Sequence, residues 1–166
     1  MSQVAVVIPA YNEADLAAAT VTAAAGLPGV DVVVVVDDGS RDGTADAAGR
    51  AGAAVLRHAR NRGKAAAMET GAEAVRLLDQ REPGAAPRFL LFLDADLGAT
   101  AAAAGPLITP VAAGEADLAI AVFANRVKQG GHGFVVGCGS VAGSGSSVSR
   151  CATRRSMPAW AYSRPM

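Results

Sequence analysis

Apolar residues in this chain come in short unbroken runs separated by stretches of turn chemistry. Val4–Ile8 is a β-branched run closed by Pro9, and Asp31–Val36 is an acid followed by five valines. Ala53–Arg57 and Phe89–Leu93 repeat the pattern, and Asp117–Phe123 is a further candidate. Runs this short with little polar alternation read as buried strands, of the kind that parallel sheets place between layers of helix. Helix-favouring stretches lie between them. Ala14–Gly26 is rich in alanine and stops at Gly26 and Pro28. Thr44–Ala51 reads as a short helix with Asp42 or Thr44 as its N-cap. Lys64–Leu78 is a helix with Met68, Ala72, Val75 and Leu78 on one stripe. Thr100–Ala113 is expected to be helical but interrupted by Pro106 and Pro110. Strand and helix thus alternate from residue 4 to about residue 124. That predicts an α/β fold, a doubly wound and mostly parallel sheet with helices on both faces.

The pattern stops near Gly137. Residues 137–166 are rich in Gly, Ser, Arg and Pro, and Trp160 and Tyr162 stand isolated. The division expected is a domain over 1–136 and an irregular, disordered tail over 137–166. The Ala, Arg and Gly bias of the chain suggests a GC-rich coding sequence. A slip of reading frame near residue 137 would produce this tail texture, so the expectation is a truncated product.

Length and charge narrow the classes. The chain has 166 residues, which favours one domain. Fifteen basic residues balance fifteen acidic ones, and no basic stripe precedes the tail, which argues against a nucleic-acid partner. Cys138 and Cys151 both lie in the tail, and neither forms a metal-ligand spacing with His58 or His132, so a reducing cytoplasm is the expected compartment. No apolar run approaches the roughly 20 residues of a membrane span. The start of the chain lacks a basic region and carries Pro9-Ala10-Tyr11-Asn12-Glu13 where a signal sequence would stay apolar.

The chemistry sits in the loops after the expected strands. Asp94-Ala95-Asp96 follows the apolar run Phe89–Leu93. Two carboxylates so close repel unless something positive lies between them, and a divalent metal on a diphosphate is the usual answer. The bland alternative is that Asp96 caps a helix and Asp94 is merely exposed. Pro9-Ala10-Tyr11-Asn12-Glu13 offers an aromatic and an acid to a base or ribose, or else is a polar helix start capped by Asn12. In Asp37-Asp38-Gly39-Ser40-Arg41-Asp42-Gly43-Thr44 a capping turn accounts for Asp42 and Thr44 but leaves the acid pair unexplained. An acid there can accept from a base imide or a ribose hydroxyl. Asn61-Arg62-Gly63-Lys64 suits approach to a phosphate at a helix start, although it is no Walker motif and a solvated basic loop is the commoner case. His132 in Gly130-Gly131-His132-Gly133 is a possible further ligand, or simply exposed. His58 reads as structural or exposed.

In this order and spacing the four motifs resemble glycosyltransferase family 2, over roughly residues 3–124. They are Val6–Glu13, Val36–Thr44, Asn61–Ala67 and Phe92–Asp96. The nearest likeness is to the dolichyl- or polyprenyl-phosphate sugar synthases. The resemblance implies the glycosyltransferase A fold, with a Rossmann-like nucleotide-binding half, and a UDP- or GDP-linked sugar donor. Pro9, Tyr11 and Glu13 would line the nucleoside, Asp38 would meet the base and Lys64 would lie near the donor. Asp94, Ala95 and Asp96 match the family's DxD, whose acids hold Mg²⁺ or Mn²⁺ on the diphosphate and so serve catalysis. The transfer would be inverting. A lipid-phosphate acceptor would place the protein at the inner membrane face.

The acceptor motif of the family is not recognisable after Val122, so a donor half without its acceptor half is expected. Two alternatives remain open. One is a non-catalytic nucleotide-binding module. The other is a phosphatase of the haloacid dehalogenase type, whose DxD lies near the start of its domain, whereas here the motif falls at residue 94. A nicotinamide enzyme fits worse, because the first strand lacks GxGxxG.

Overall fold

The computed structural model describes residues 3–82 and 84–121, together with the backbone of 148–150. Four strands form one sheet: β1 (Val4–Ala10), β2 (Val30–Asp37), β3 (Ala54–Arg57) and β4 (Phe89–Phe92). Their order is β3-β2-β1-β4 and every pairing is parallel. Three helices connect them: α1 (Ala14–Ala25), α2 (Thr44–Arg50) and α3 (Lys64–Gln80). The parallel α/β architecture expected from the alternating runs is therefore present.

Side-chain alternation along the strands divides the core in two. Val4, Val6, Ile8, Val33, Val35, Leu91 and Leu93 pack with Val21, Ala24 and Leu27 of the α1 region and Ala48 of α2. On the opposite face Ala5, Val7, Val34 and Val36 pack with Ala67 and Val75 of α3. Each fully buried valine contributes roughly 1.5–3 kcal/mol, so the β1 and β2 runs dominate the stability of the sheet. Val33–Val36 has an apolar neighbour on both faces. That is why its sequence shows no alternation.

The stripe on α3 differs from the one expected. Its buried residues are Ala67, Gly71 and Val75, while Met68, Ala72 and Leu78 are only half-buried. A Cβ at Gly71 would collide with Val7 Cγ1, so the helix lies closer to the sheet than bulky side chains would allow. Small residues set that face.

Past β4 the structure departs further from expectation. In place of one helix over 100–113, a 3₁₀ segment runs over Ala95–Ala104 and breaks at Gly98 (φ +56°). It is followed by α4 (Gly105–Ala112). Pro106 falls in the first turn of α4, where a missing N–H costs little, and Pro110 lies inside it.

Met1–Ile108 and Thr109–Met166 form two separate compact units. In the second, β5 (Ala119–Ala121) pairs antiparallel with β6 (Val148–Arg150). The expected strand over 117–123 thus belongs to a different, two-stranded sheet. β6 falls within the segment expected to be irregular. The proposed frame slip near 137, His132, Cys138, Cys151, Trp160 and Tyr162 lie outside the described residues.

Candidate functional site

The carboxyl ends of the four parallel strands place four loops along one edge of the sheet. β2 and β3 continue to one side of β1, and β4 lies on the other. The chain therefore changes direction between β1 and β4, and open α/β sheets bind ligands at such a switch point. A cleft of about 270 Å³ opens there. Its walls hold Pro9 from the end of β1, Tyr11 and Glu13 beyond it, Asp38 after β2 and Lys64 at the start of α3. Asp94, Ala95 and Asp96 close it from β4, and Ala10, Asn61 and Ala67 complete the lining. Every candidate donor-binding residue thus faces one cavity.

The loops are locked together by contacts far apart in sequence. Ser40 Oγ accepts from the Asn12 amide at 2.9 Å, and Thr44 Oγ1 from the Glu13 amide at 2.9 Å. Asp42 Oδ2 accepts from the Ala14 amide at 3.2 Å, while Asn12 Oδ1 accepts from the Arg41 amide at 3.0 Å. The amides of Asn12, Glu13 and Ala14, which lead into α1, are thus satisfied by the loop after β2. Asn12 is not the N-cap that the bland reading gave it. It sits at φ +56°, one residue earlier, and its side chain serves the partner loop. Asp42 also accepts from the Thr44 amide at 3.0 Å, just ahead of the α2 cap position at Gly43. The Thr44 hydroxyl donates a second bond to Asp42 Oδ1, and that bond is the leading reason the carboxyl lies below the ordinary range.

Asp38 is buried, and its carboxylate accepts from three donors. His58 Nδ1 lies 2.6 Å from Oδ1, and the Arg62 amide reaches both oxygens at 2.9 and 3.1 Å. The Gly63 amide reaches Oδ2 at 2.7 Å. Burial pushes this carboxyl up, but the His58 and amide hydrogen bonds outweigh it and hold the group below its ordinary value. A base imide would have to join these three donors. Beside it, Asp37 is fully buried, with Oδ1 accepting from the Ser40 amide at 2.9 Å. Its Oδ2 lies 3.1 Å from Arg57 Nε but out of line for a hydrogen bond, so that contact is electrostatic.

Asp94 and Asp96 are exposed on either side of buried Ala95. The Lys64 ammonium pairs with Asp94 Oδ1. Both side chains are more than half exposed, so the pair is worth at most about 1 kcal/mol and exchanges readily for another cation. The Glu13 carboxyl is pushed up, first by burial, then by the charges of Asp96, Asp42 and Asp15. The mouth of the cleft beside Asp96 is thus a region of negative potential. Thr20 was not singled out from sequence, yet it sets this corner. Its buried hydroxyl lies 2.8 Å from the Ala95 carbonyl and 3.0 Å from that of Leu16, and it accepts from the Gly98 amide at 2.8 Å.

Among the described residues no group of three or more His, Cys, Asp or Glu side chains gathers around one point. Asp94 and Asp96 nonetheless suit Mg²⁺ or Mn²⁺. Mg²⁺ keeps several waters and is commonly held by one or two carboxylates plus substrate phosphates. The donor set fits a metal that arrives with a diphosphate better than one bound by protein alone.

Residues 5–138 match the Glycosyl transferase family 2 domain, and the chain belongs to that family. The match extends beyond the residue 124 expected, and the assignment sets aside the phosphatase alternative. An uncharacterised protein of Methanocaldococcus jannaschii is 35% identical over 94 residues, which are 57% of this chain and 35% of that protein. Glucosyl-3-phosphoglycerate synthase of Mycobacterium tuberculosis, in complex with UDP, superposes with a TM-score of 0.55 at 26% identity. The alignment covers 74% of this chain and 44% of the synthase. The same synthase with Mn²⁺, UDP-glucose and phosphoglyceric acid gives a TM-score of 0.52 at 27% identity, over 69% of this chain and 40% of the synthase. This chain therefore spans less than half the length of these relatives.

Proposed function

We propose that this chain carries the donor site of an inverting glycosyltransferase that draws a sugar from a UDP- or GDP-linked donor with Mg²⁺ or Mn²⁺ on the diphosphate. The supporting observation is the convergence of Tyr11, Glu13, Asp38, Lys64, Asp94 and Asp96 on one cleft at the switch point of the sheet. The mycobacterial synthase holds UDP in one structure and UDP-glucose with Mn²⁺ in another, which favours uridine.

Each residue then has a role. Tyr11 is 45% exposed and offers a ring face to the base, with Pro9 beside it. Glu13 faces the ribose. Asp38 orders the Arg62–Lys64 backbone through its amide bonds and lies beneath the base. Asp94 and Asp96 would hold the metal, with Ala95 between them. Bound there with the donor, it would supply Lewis-acid neutralisation of the charge that grows on the departing diphosphate. Lys64 brings a second positive charge to the same place, and it already neutralises Asp94. A hydroxyl acceptor would also need a general base, whereas a phosphate acceptor would not. Two acceptors are proposed: the polyprenyl phosphate implied by the resemblance, whose phosphate needs no base, and the phosphoglyceric acid bound by the synthase, whose hydroxyl would need one.

Turnover tests this reading. The chain is incubated with UDP-glucose or GDP-mannose, Mn²⁺ and each acceptor, and release of the nucleoside diphosphate is followed. Metal-dependent release that is lost in Asp96→Asn supports the assignment. Release that persists without metal, or in Asp96→Asn, contradicts it. Binding of nucleotide without any transfer leaves the non-catalytic module as the better description.

A further inference from the structure

His58 takes no part in the donor chemistry above, yet both of its ring nitrogens are engaged and the residue is 8% exposed. Nδ1 lies 2.6 Å from Asp38 Oδ1, and Nε2 lies 2.9 Å from Thr70 Oγ1. The Thr70 hydroxyl carries one proton, and two acceptors stand 2.9 Å from its oxygen: the Ala66 carbonyl one turn back on α3 and, when it bears no proton, Nε2. The ionised Asp38 carboxylate can only accept, so Nδ1 donates to it. With the hydroxyl proton on the Ala66 carbonyl, Nε2 donates as well and the ring is the imidazolium cation, the form that the buried Asp38 charge beside it favours.

The cation has a position to hold. Asp38 receives the Arg62 and Gly63 amides, which immediately precede Lys64 at the start of α3. Thr70 lies on that same helix. His58 thus grips the carboxylate with one nitrogen and the helix with the other. A buried carboxylate without its counter-charge would be costly. Asp38 faces the ring from the end of β2, and α3 presents the uncharged Thr70. Arg57, next along β3, sends its guanidinium to the Ser40 carbonyl at 2.7 Å and towards Asp37.

We propose that His58 is a positioning residue of the donor site, held as an imidazolium between Asp38 and Thr70. It acts through Asp38 to set the Arg62–Lys64 backbone against the nucleoside diphosphate. The second part rests on the donor reading given above.

The charge is tested by nitrogen-15 NMR of the full chain labelled at histidine. The chain has two histidines, and His58 is assigned by the signals lost in His58→Asn. At pH 7.5 both His58 ring nitrogens are expected in the protonated range, each correlated to a proton. One protonated and one bare nitrogen would overturn the imidazolium.

The positioning is tested by calorimetry with UDP or GDP and Mn²⁺. His58→Leu is expected to weaken binding by roughly tenfold or more, the scale of a lost hydrogen bond to a charged group. His58→Asn can still donate to Asp38 and is expected to recover most of that loss. A folded His58→Leu with wild-type affinity overturns the positioning role. Failure of the wild type to bind either UDP or GDP defeats the donor reading and the positioning with it, while the ring spectrum still decides the ion pair.

Discussion

Gly39→Ala probes the contact that joins two of the site loops. Gly39 sits at φ +77°, and a Cβ there would lie 2.6 Å from the Arg60 carbonyl carbon, 2.8 Å from the Asn61 nitrogen and 2.9 Å from Arg60 Cα. All three are backbone atoms with no rotamer to yield. Ordinary contact begins near 3.4 Å, so the loops must separate by about 0.8 Å (3.4 less 2.6). Left-handed backbone costs a non-glycine residue roughly 1–2 kcal/mol. Overpacking adds about 1–3 kcal/mol. The expected loss is about 2–5 kcal/mol, a drop in Tm of roughly 10–25 °C for a unit of this size. Gly52→Ala is the control, since Gly52 has φ +95° with nothing within 4 Å of the added carbon. It should show the backbone term alone. Thermal and urea unfolding followed by circular dichroism gives both values. A Gly39→Ala loss no larger than that of Gly52→Ala would refute the close packing of these loops.

Other changes test other parts of the structure. Thr20→Val keeps the shape but leaves the buried Gly98 amide unpaired, which should cost about 1–3 kcal/mol in urea unfolding and weaken Mn²⁺-dependent UDP binding. An unchanged midpoint and affinity would remove Thr20 from the site's support. Arg88 has a nearly buried side chain paired with Asp31, Asp79 and Glu82 at the opposite edge of the sheet, and Asp79 leads in raising its pKa above the usual arginine range. Arg88→Met should cost about 2–4 kcal/mol, less than a fully buried pair because its partners are partly exposed. The folded variant should keep its UDP affinity, and loss of affinity at full stability would count against this placement. Asp38 titrates below its ordinary value of 3.8 in the folded chain, so near and below pH 4 the unfolded state binds the proton more tightly. Its contribution is complete above that value and is lost as pH falls through the lower folded pKa. The stability gap between wild type and Asp38→Asn should therefore narrow below about pH 4. A gap that stays constant down to pH 3 would contradict the bonding of Asp38.

What was legible in the sequence was local. Five valines in a row need apolar neighbours on both faces, so the strand and its parallel setting could be read directly. The loops after those strands were bound to share one edge, which brought Tyr11, Asp38, Lys64 and Asp94 together. Features set by distant partners left no local mark. Gly71 has no apolar side chain to mark a buried face, yet its missing side chain lets α3 approach Val7. Thr20 meets Gly98 across 78 residues, and His58 meets Asp38 across 20. The α1 start is met by side chains 28 to 31 residues away, which is why the sequence offered Asn12 as an alternative cap for its own helix. The pairing of Ala119–Ala121 with Val148–Arg150 was equally hidden, because a short apolar run does not reveal which sheet it joins.

The measurement that bears most directly on the donor site is calorimetric titration of UDP and GDP into the chain, with and without Mn²⁺, for wild type and Asp94→Ala. Binding of at least one nucleotide that requires Mn²⁺, and that is lost in a folded Asp94→Ala, is the expected result. Absence of binding by the folded wild type, or equal binding without metal and without Asp94, would contradict the assignment of this cleft.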